Sequence, residues 1–136
     1  MNNRKDRAIR FTRTRDHHAN ETAEDYVEAV ADIIAESGEC RVNQLARHFD
    51  VSHVTVSRIV KRLQEKRLLE TQPYQPIQLT ARGAKLAAQV RERHEIVLKF
   101  LIAIGVDKQS AEIDSEGIEH HVGSKTLAAM KRFLKR

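Results

Sequence analysis

The chain has 136 residues, enough for one ordinary domain or two small ones sharing a core, and 40% of them are apolar against 32% charged. No run approaches the ~20 apolar residues of a membrane span, and the opening "MNNRKDRAIRFTRTRDHHAN" lacks the apolar stretch of a secretion signal. A single cysteine, Cys40, excludes an internal disulfide framework and suits a reducing compartment. These features predict a soluble, cytoplasmic protein with no membrane partner.

The formal charge of +5 is unevenly spread: residues 1–20 hold six Lys/Arg against two Asp, so +4 of it lies there. We read this segment as a flexible basic arm, able to reach phosphates or a minor groove, and assign it no fold.

From Glu21 to Ser37 the pattern becomes helical. Ala23, Tyr26, Val27, Val30, Ile33 and Ile34 share one face at the 3.6-residue period, and Gly38 is placed to cap the end. The opposite face carries Glu21, Asp25, Glu28, Asp32 and Glu36, with no Lys or Arg anywhere in 21–39. Like charges at these spacings cost roughly 0.2–0.5 kcal/mol each, so a face this acidic would be relieved by a cation.

The stretch "RVNQLARHFDVSHVTVSRIVKRLQEKRLLE" (41–70) predicts a helix-turn-helix. Val42, Leu45, Ala46 and Phe49 form one short apolar stripe. Asp50 tolerates the left-handed turn, and Ser52 is a good N-cap. Val56, Ile59, Val60 and Leu63 then line the inner face of a second helix. Its outward residues Ser52, His53, Val54, Ser57, Arg58 and Lys61 are the candidate DNA readers. Arg58 and Lys61 suit base edges or phosphates, and Val54 suits a thymine methyl.

Residues 68–83, "LLETQPYQPIQLTARG", predict two short extended segments around a proline-bearing loop, the wing of a winged helix. The loop holds no basic residue, so only modest DNA contact is expected from its tip. Thr80 should cap a long helix over about 81–104 with Ala87, Val90, His94, Val97, Leu98 and Leu101 inward, ended by Gly105. Two further helices are expected over about 107–121 and 124–135.

Candidate metal ligands recur on these helices. Asp25 and Glu28 are an i, i+3 pair on the acidic face, His94 interrupts an apolar stripe, and "DSEGIEHH" (114–121) puts Glu116, Glu119 and His120 on one face. Gly117 is expected to let another chain segment approach closely. Four carboxylates and two imidazoles gathered together require cations, and two divalent ions would balance the charge. Oxygen-rich ligation with some imidazole and no thiolate suits Mn(II), with Fe(II) and Zn(II) as competitors. Cys40 matches no ligand position and is expected to be a half-exposed loop thiol.

In "EDYVE" (24–28), "RHEIVLKFLIAIGV" (93–106) and "DSEGIEHH" (114–121) the sequence resembles manganese transport regulators of the MntR type. These belong to the diphtheria-toxin-repressor-like family of metal-dependent repressors, and the resemblance covers about residues 21–130. It implies a mainly α protein: a winged helix-turn-helix DNA-binding domain (21–82) followed by an all-helical dimerisation and metal-binding domain (83–136), with a two-metal site between them. By motif position it implies the ligands Asp25, Glu28, His94, Glu116, Glu119 and His120. Iron-type members tend to have Met at the position of Asp25 and Cys at that of Glu119, so the carboxylates here point to manganese. The chain also ends without the extra C-terminal domain of iron-type members, an expectation in the same direction. It departs from the family in the wing, where "QPYQP" replaces the Arg-Gly loop often seen.

The function expected is a homodimeric, manganese-responsive repressor of manganese-transport genes that binds double-stranded DNA at a palindromic operator, with two Mn(II) per subunit. An iron- or zinc-responsive regulator of the same architecture is the nearest alternative. A metal-independent winged-helix regulator would leave the acidic face merely solvated. A two-metal hydrolase would need an open cleft and a general base beyond the ligands; none stands out, so no enzymatic activity is expected.

Overall fold

The computed structural model describes residues 3–136, with side chains at positions 4, 5, 7, 8 and 20–136. Its elements are α1 (Asn3–Ser37), α2 (Val42–Phe49), α3 (His53–Glu65), β1 (Leu69–Glu70), β2 (Gln78–Leu79), α4 (Ala81–Ala103), α5 (Lys108–His121) and α6 (Ser124–Leu134). This is the expected mainly α architecture, a winged helix-turn-helix followed by helices. Two compact units are formed, one by residues 23–89 and the other by 1–22 with 90–136. Among the described residues no helix is long and apolar enough to cross a membrane.

Apolar periodicity begins at Glu21, yet α1 begins at Asn3. Residues 3–20 contain neither Gly nor Pro, so no residue stops the helix upstream of its apolar face. The segment to which the sequence assigned no fold therefore has helical backbone from Asn3. Most of its side chains, and with them the expected reach toward phosphates, lie outside the described residues.

The 23–89 unit is built on one core. Tyr26, Val27, Val30 and Ile33 of α1 pack with Leu45 and Ala46 of α2 and with Val56, Val60 and Leu63 of α3. Leu68, Leu69 and Ile77 close it from the strands. Tyr26 stacks on Phe49, ring centroids 4.4 Å apart and 13° from parallel. α1 ends where Gly38, at φ +85°, donates its N–H to the Ile34 carbonyl. Between α2 and α3, Asp50 takes φ 52° and the Val51 N–H reaches back to Ala46 O at 3.0 Å. The Ser52 hydroxyl accepts from Thr55 N at 3.1 Å, the N-cap expected of it.

In the wing, β1 and β2 run antiparallel with Leu69 opposite Leu79 and Glu70 opposite Gln78. A third segment joins them: Ile77 N–H donates to the Cys40 carbonyl at 2.7 Å. This overturns the expectation of a half-exposed Cys40 thiol. The bridge draws residue 40 into the core, where it is fully buried, and burial pushes the thiol up to about 11.

Thr80 fastens the wing to α4. Its hydroxyl donates to the Arg67 carbonyl at 2.6 Å and accepts from Gly83 N at 2.9 Å, capping the helix as expected. Gly83 itself sits against the backbone that leads into β1, since a Cβ built there would lie 2.0 Å from the Leu68 carbonyl oxygen.

In the second unit α4 buries Val90, Ile96 and Val97, with His94, Leu98 and Leu101 half-buried. Gly105, at φ +106°, ends the turn after α4, and the Asp107 carboxylate accepts from Ser110 N at 3.0 Å to start α5. α6 meets α4 through an edge-to-face Phe100–Phe133 pair at 5.4 Å and a Lys131–Glu92 ion pair at 3.1 Å.

Candidate metal centre and nucleic-acid interface

The helical unit gathers three of the expected ligands around one carboxylate. Glu119, on α5, is 3% exposed. One of its oxygens lies 2.5 Å from His94 Nδ1 on α4, and the other lies 3.4 Å from His120 Nε2. α4 and α5 are held in register by a second contact beside it, in which Arg93 Nη1 donates to the Glu119 backbone carbonyl at 3.1 Å.

A carboxylate this deeply buried is costly unless positive charge faces it. A proton on an imidazole supplies that charge, and a divalent cation supplies it equally well. Oxygen and nitrogen donors without thiolate fit Mn(II), Fe(II) or Zn(II), so these residues suit the expected ion.

The other expected ligands are placed as follows. Glu116 is exposed on α5, one turn before Glu119. Asp25 and Glu28 are half-buried on α1, in the 23–89 unit. The role expected of Gly117 does not hold: a Cβ there would meet no atom within 4 Å, so the glycine is not needed for a close approach.

Three features of this region escaped the sequence. Ser115 is fully buried, and its hydroxyl is satisfied by donating to the Glu112 carbonyl at 3.1 Å within its own helix. Glu24 is buried on α1 beside the apolar face. His121, outside the expected ligand set, meets the Glu21 carboxylate at 3.3 Å. Glu21 stood on the acidic stripe, but its partner could not be read from spacing.

On the DNA-reading side, Ser52, His53, Val54, Ser57, Arg58 and Lys61 are all exposed on or just before α3. Val54 is 76% exposed, which no packing demand explains. The Ser52 hydroxyl accepts from Thr55 N at 3.1 Å and also hydrogen-bonds the Thr55 hydroxyl at 3.0 Å, so a DNA contact from it shares the oxygen with the cap. A groove of about 530 Å³ separates α3 from the wing, with His53, Ser57, Lys61 and Gln64 on one side and Gln72 and Tyr74 on the other. Tyr74 stands at the tip, almost wholly exposed, at φ 65° between two prolines.

Comparison with known proteins gives a consistent picture. Residues 80–136 match the family described as "Iron dependent repressor, metal binding and dimerisation domain", and residues 29–74 match the MarR family. The chain is 44% identical over 123 residues to the transcriptional regulator MntR of Escherichia coli O6:H1, covering 90% of this chain and 79% of that protein. It is 36% identical over 99 residues to the HTH-type transcriptional regulator MntR of Bacillus subtilis, covering 73% of this chain and 70% of that protein. In fold it matches the manganese regulator SloR with a TM-score of 0.71 at 24% identity, covering 83% of this chain. It spans about half the length of that structure, 53%.

Proposed function

Because the chain belongs to the MntR transcriptional regulators, with the metal-binding and dimerisation domain of iron-dependent repressors, we propose that it is a manganese-responsive repressor of manganese-transport genes. The observation that carries the metal part is the buried Glu119 carboxylate between His94 and His120. Asp25, Glu28, His94, Glu116, Glu119 and His120 are the proposed ligands of two Mn(II) ions per subunit. A bound divalent ion would supply the charge that lets these carboxylates stand together.

The chain's own residues do the rest. Asp25 and Glu28 belong to the helix that carries the helix-turn-helix core, whereas the other four lie on α4 and α5. Ligands drawn from both sets make the DNA-competent arrangement depend on the ion. Without it, the carboxylates repel and oppose that arrangement. In a homodimer this sets the distance between two α3 helices, which must match half-sites roughly 34–36 Å apart, or a multiple of that, on a palindromic operator. Exposed Ile102, Ile104 and Ile113 in the helical unit supply apolar surface for a partner copy to cover. On DNA, Ser52, His53, Val54, Ser57, Arg58 and Lys61 face the major groove. The fully buried Cys40 thiol needs no oxidising compartment, which agrees with work in the cytoplasm.

The test is fluorescence anisotropy of a labelled duplex from upstream of a manganese-transporter gene, with chelator-stripped protein at fixed salt. Mn(II) is expected to produce tight binding at lower concentration than anaerobic Fe(II) or than Zn(II) in a metal-buffered series. Equal binding in chelator would remove the metal from the account, and a leading response to Fe(II) or Zn(II) would reassign the effector.

A further inference from the structure

α1 brings to the end of α5 a carboxylate that the six-residue ligand set does not include. Glu21 Oε2 lies 3.3 Å from His121 Nε2, and a Glu21 oxygen lies within 4.8 Å of a ring nitrogen of His120. Consecutive helical residues point about 100° apart, so His120 and His121 flank Glu21 from two directions. His120 is buried, its side chain 3% exposed, and its ring also faces Glu119 at 3.4 Å. The side chains of Glu21 and His121 are 29% and 41% exposed.

Two donors each about 2.1 Å from a common ion stand roughly 3–4.2 Å apart, and the Glu21 and His120 donors, within 4.8 Å of each other, need only a small closure to share one. A salt bridge alone is a weak reason for the arrangement, because part-exposed pairs contribute little. Glu21 also precedes Asp25 by one helical turn on a stripe without a basic residue, where an added negative charge is unfavourable unless a cation compensates.

We propose that Glu21 is a carboxylate ligand of the divalent-ion site at the end of α5, binding the same ion as His120. His121 is then a positioning residue, whose Nε2 holds the second Glu21 oxygen. The proposal deepens the metal-dependent reading and rests on it.

The experiment is a Mn(II) titration of the full, chelator-stripped chain, with the free aqua ion counted by electron paramagnetic resonance. It compares the unaltered protein with Glu21→Gln, His121→Ala and, as a control on the same helix, the exposed Glu36→Gln. Glu21→Gln is expected to weaken at least one class of site about tenfold or more, and His121→Ala to weaken it less. Glu36→Gln should superimpose on the unaltered protein, and unfolding temperatures measured in chelator should agree for all four. If the unaltered chain binds Mn(II) and Glu21→Gln gives the same isotherm, Glu21 is no ligand and the six-residue set stands. If the unaltered chain binds no Mn(II), the metal-dependent reading itself fails, and this proposal with it.

Discussion

His94 Nδ1 stands 2.5 Å from Glu119 Oε2, joining α4 to α5 across 25 residues of sequence. His94 lies on an apolar stripe, where a histidine by itself would be an ordinary packing residue. Its partner is a carboxylate with almost no access to water, and on that pairing we propose a ligand role for both. His94→Ala and Glu119→Gln should each weaken Mn(II) binding at least about tenfold, as loss of a ligand or its support does. Isothermal titration of the stripped variants measures this. Unchanged affinity in both would make the pair a structural contact.

α3 presents Arg58 and Lys61 to solvent on the same side as Val54. A base-reading residue and a phosphate-reading residue are separable by salt. Arg58→Ala should cost about 1–3 kcal/mol and relax discrimination at one base position. Lys61→Ala should weaken all duplexes alike and lower the salt slope by about 1. Affinities at several salt concentrations, on operator and scrambled duplexes, separate the two roles. Variants that leave both quantities untouched would move the reading face elsewhere.

Gly83 and Gly117 predict opposite signs of stability change. At Gly83 a methyl group would meet the Leu68 carbonyl oxygen, so Gly83→Ala forces α4 away from the Leu68 backbone and should destabilise by about 1–3 kcal/mol. At Gly117 an added methyl meets no atom within 4 Å, so in mid-helix alanine should stabilise by roughly 0.5–1 kcal/mol. Urea unfolding of the metal-free variants reads both, and equal effects would contradict the close approach at Gly83.

Cys40 gives a probe of global unfolding. With the thiol pushed up to about 11 by burial, only ~10⁻³ of it is thiolate at pH 8. Reaction with an aromatic disulfide reagent should therefore be slow in the native protein and keep pace with unfolding in urea. Because the folded pKa is the higher one, the native state keeps a proton that the unfolded chain releases near 9. Stability should therefore fall as pH rises from about 9 toward 11, and Cys40→Ala should lack that component. Rapid modification at pH 8 without denaturant would show that the β-bridge to Ile77 opens readily.

The parts of this molecule readable from sequence are those decided locally. Asp50, Ser52 and Thr80 announce a turn and two caps because each acts on neighbours a few residues away. The apolar faces of α1, α2 and α3 follow from period alone. Cys40 was misjudged because its burial comes from Ile77, 37 positions on, and no local pattern records that bridge. Gly83 was overlooked for the same reason, its constraint being the Leu68 carbonyl just before β1. At the metal centre Glu119 and His120 could be placed on one helical face. The Glu21–His121 contact pairs residues 100 positions apart, which spacing cannot show.

If Mn(II) and operator DNA act on the same equilibrium, as proposed, their effects on each other must be reciprocal. Mn(II) affinity of the stripped protein is measured by paramagnetic resonance, alone and with saturating operator duplex, and duplex affinity is measured with and without Mn(II). DNA is expected to tighten Mn(II) binding by the same factor by which Mn(II) tightens DNA binding, typically 5–150-fold for such couplings. A Mn(II) isotherm unmoved by the duplex, with DNA bound equally well in chelator, would contradict it.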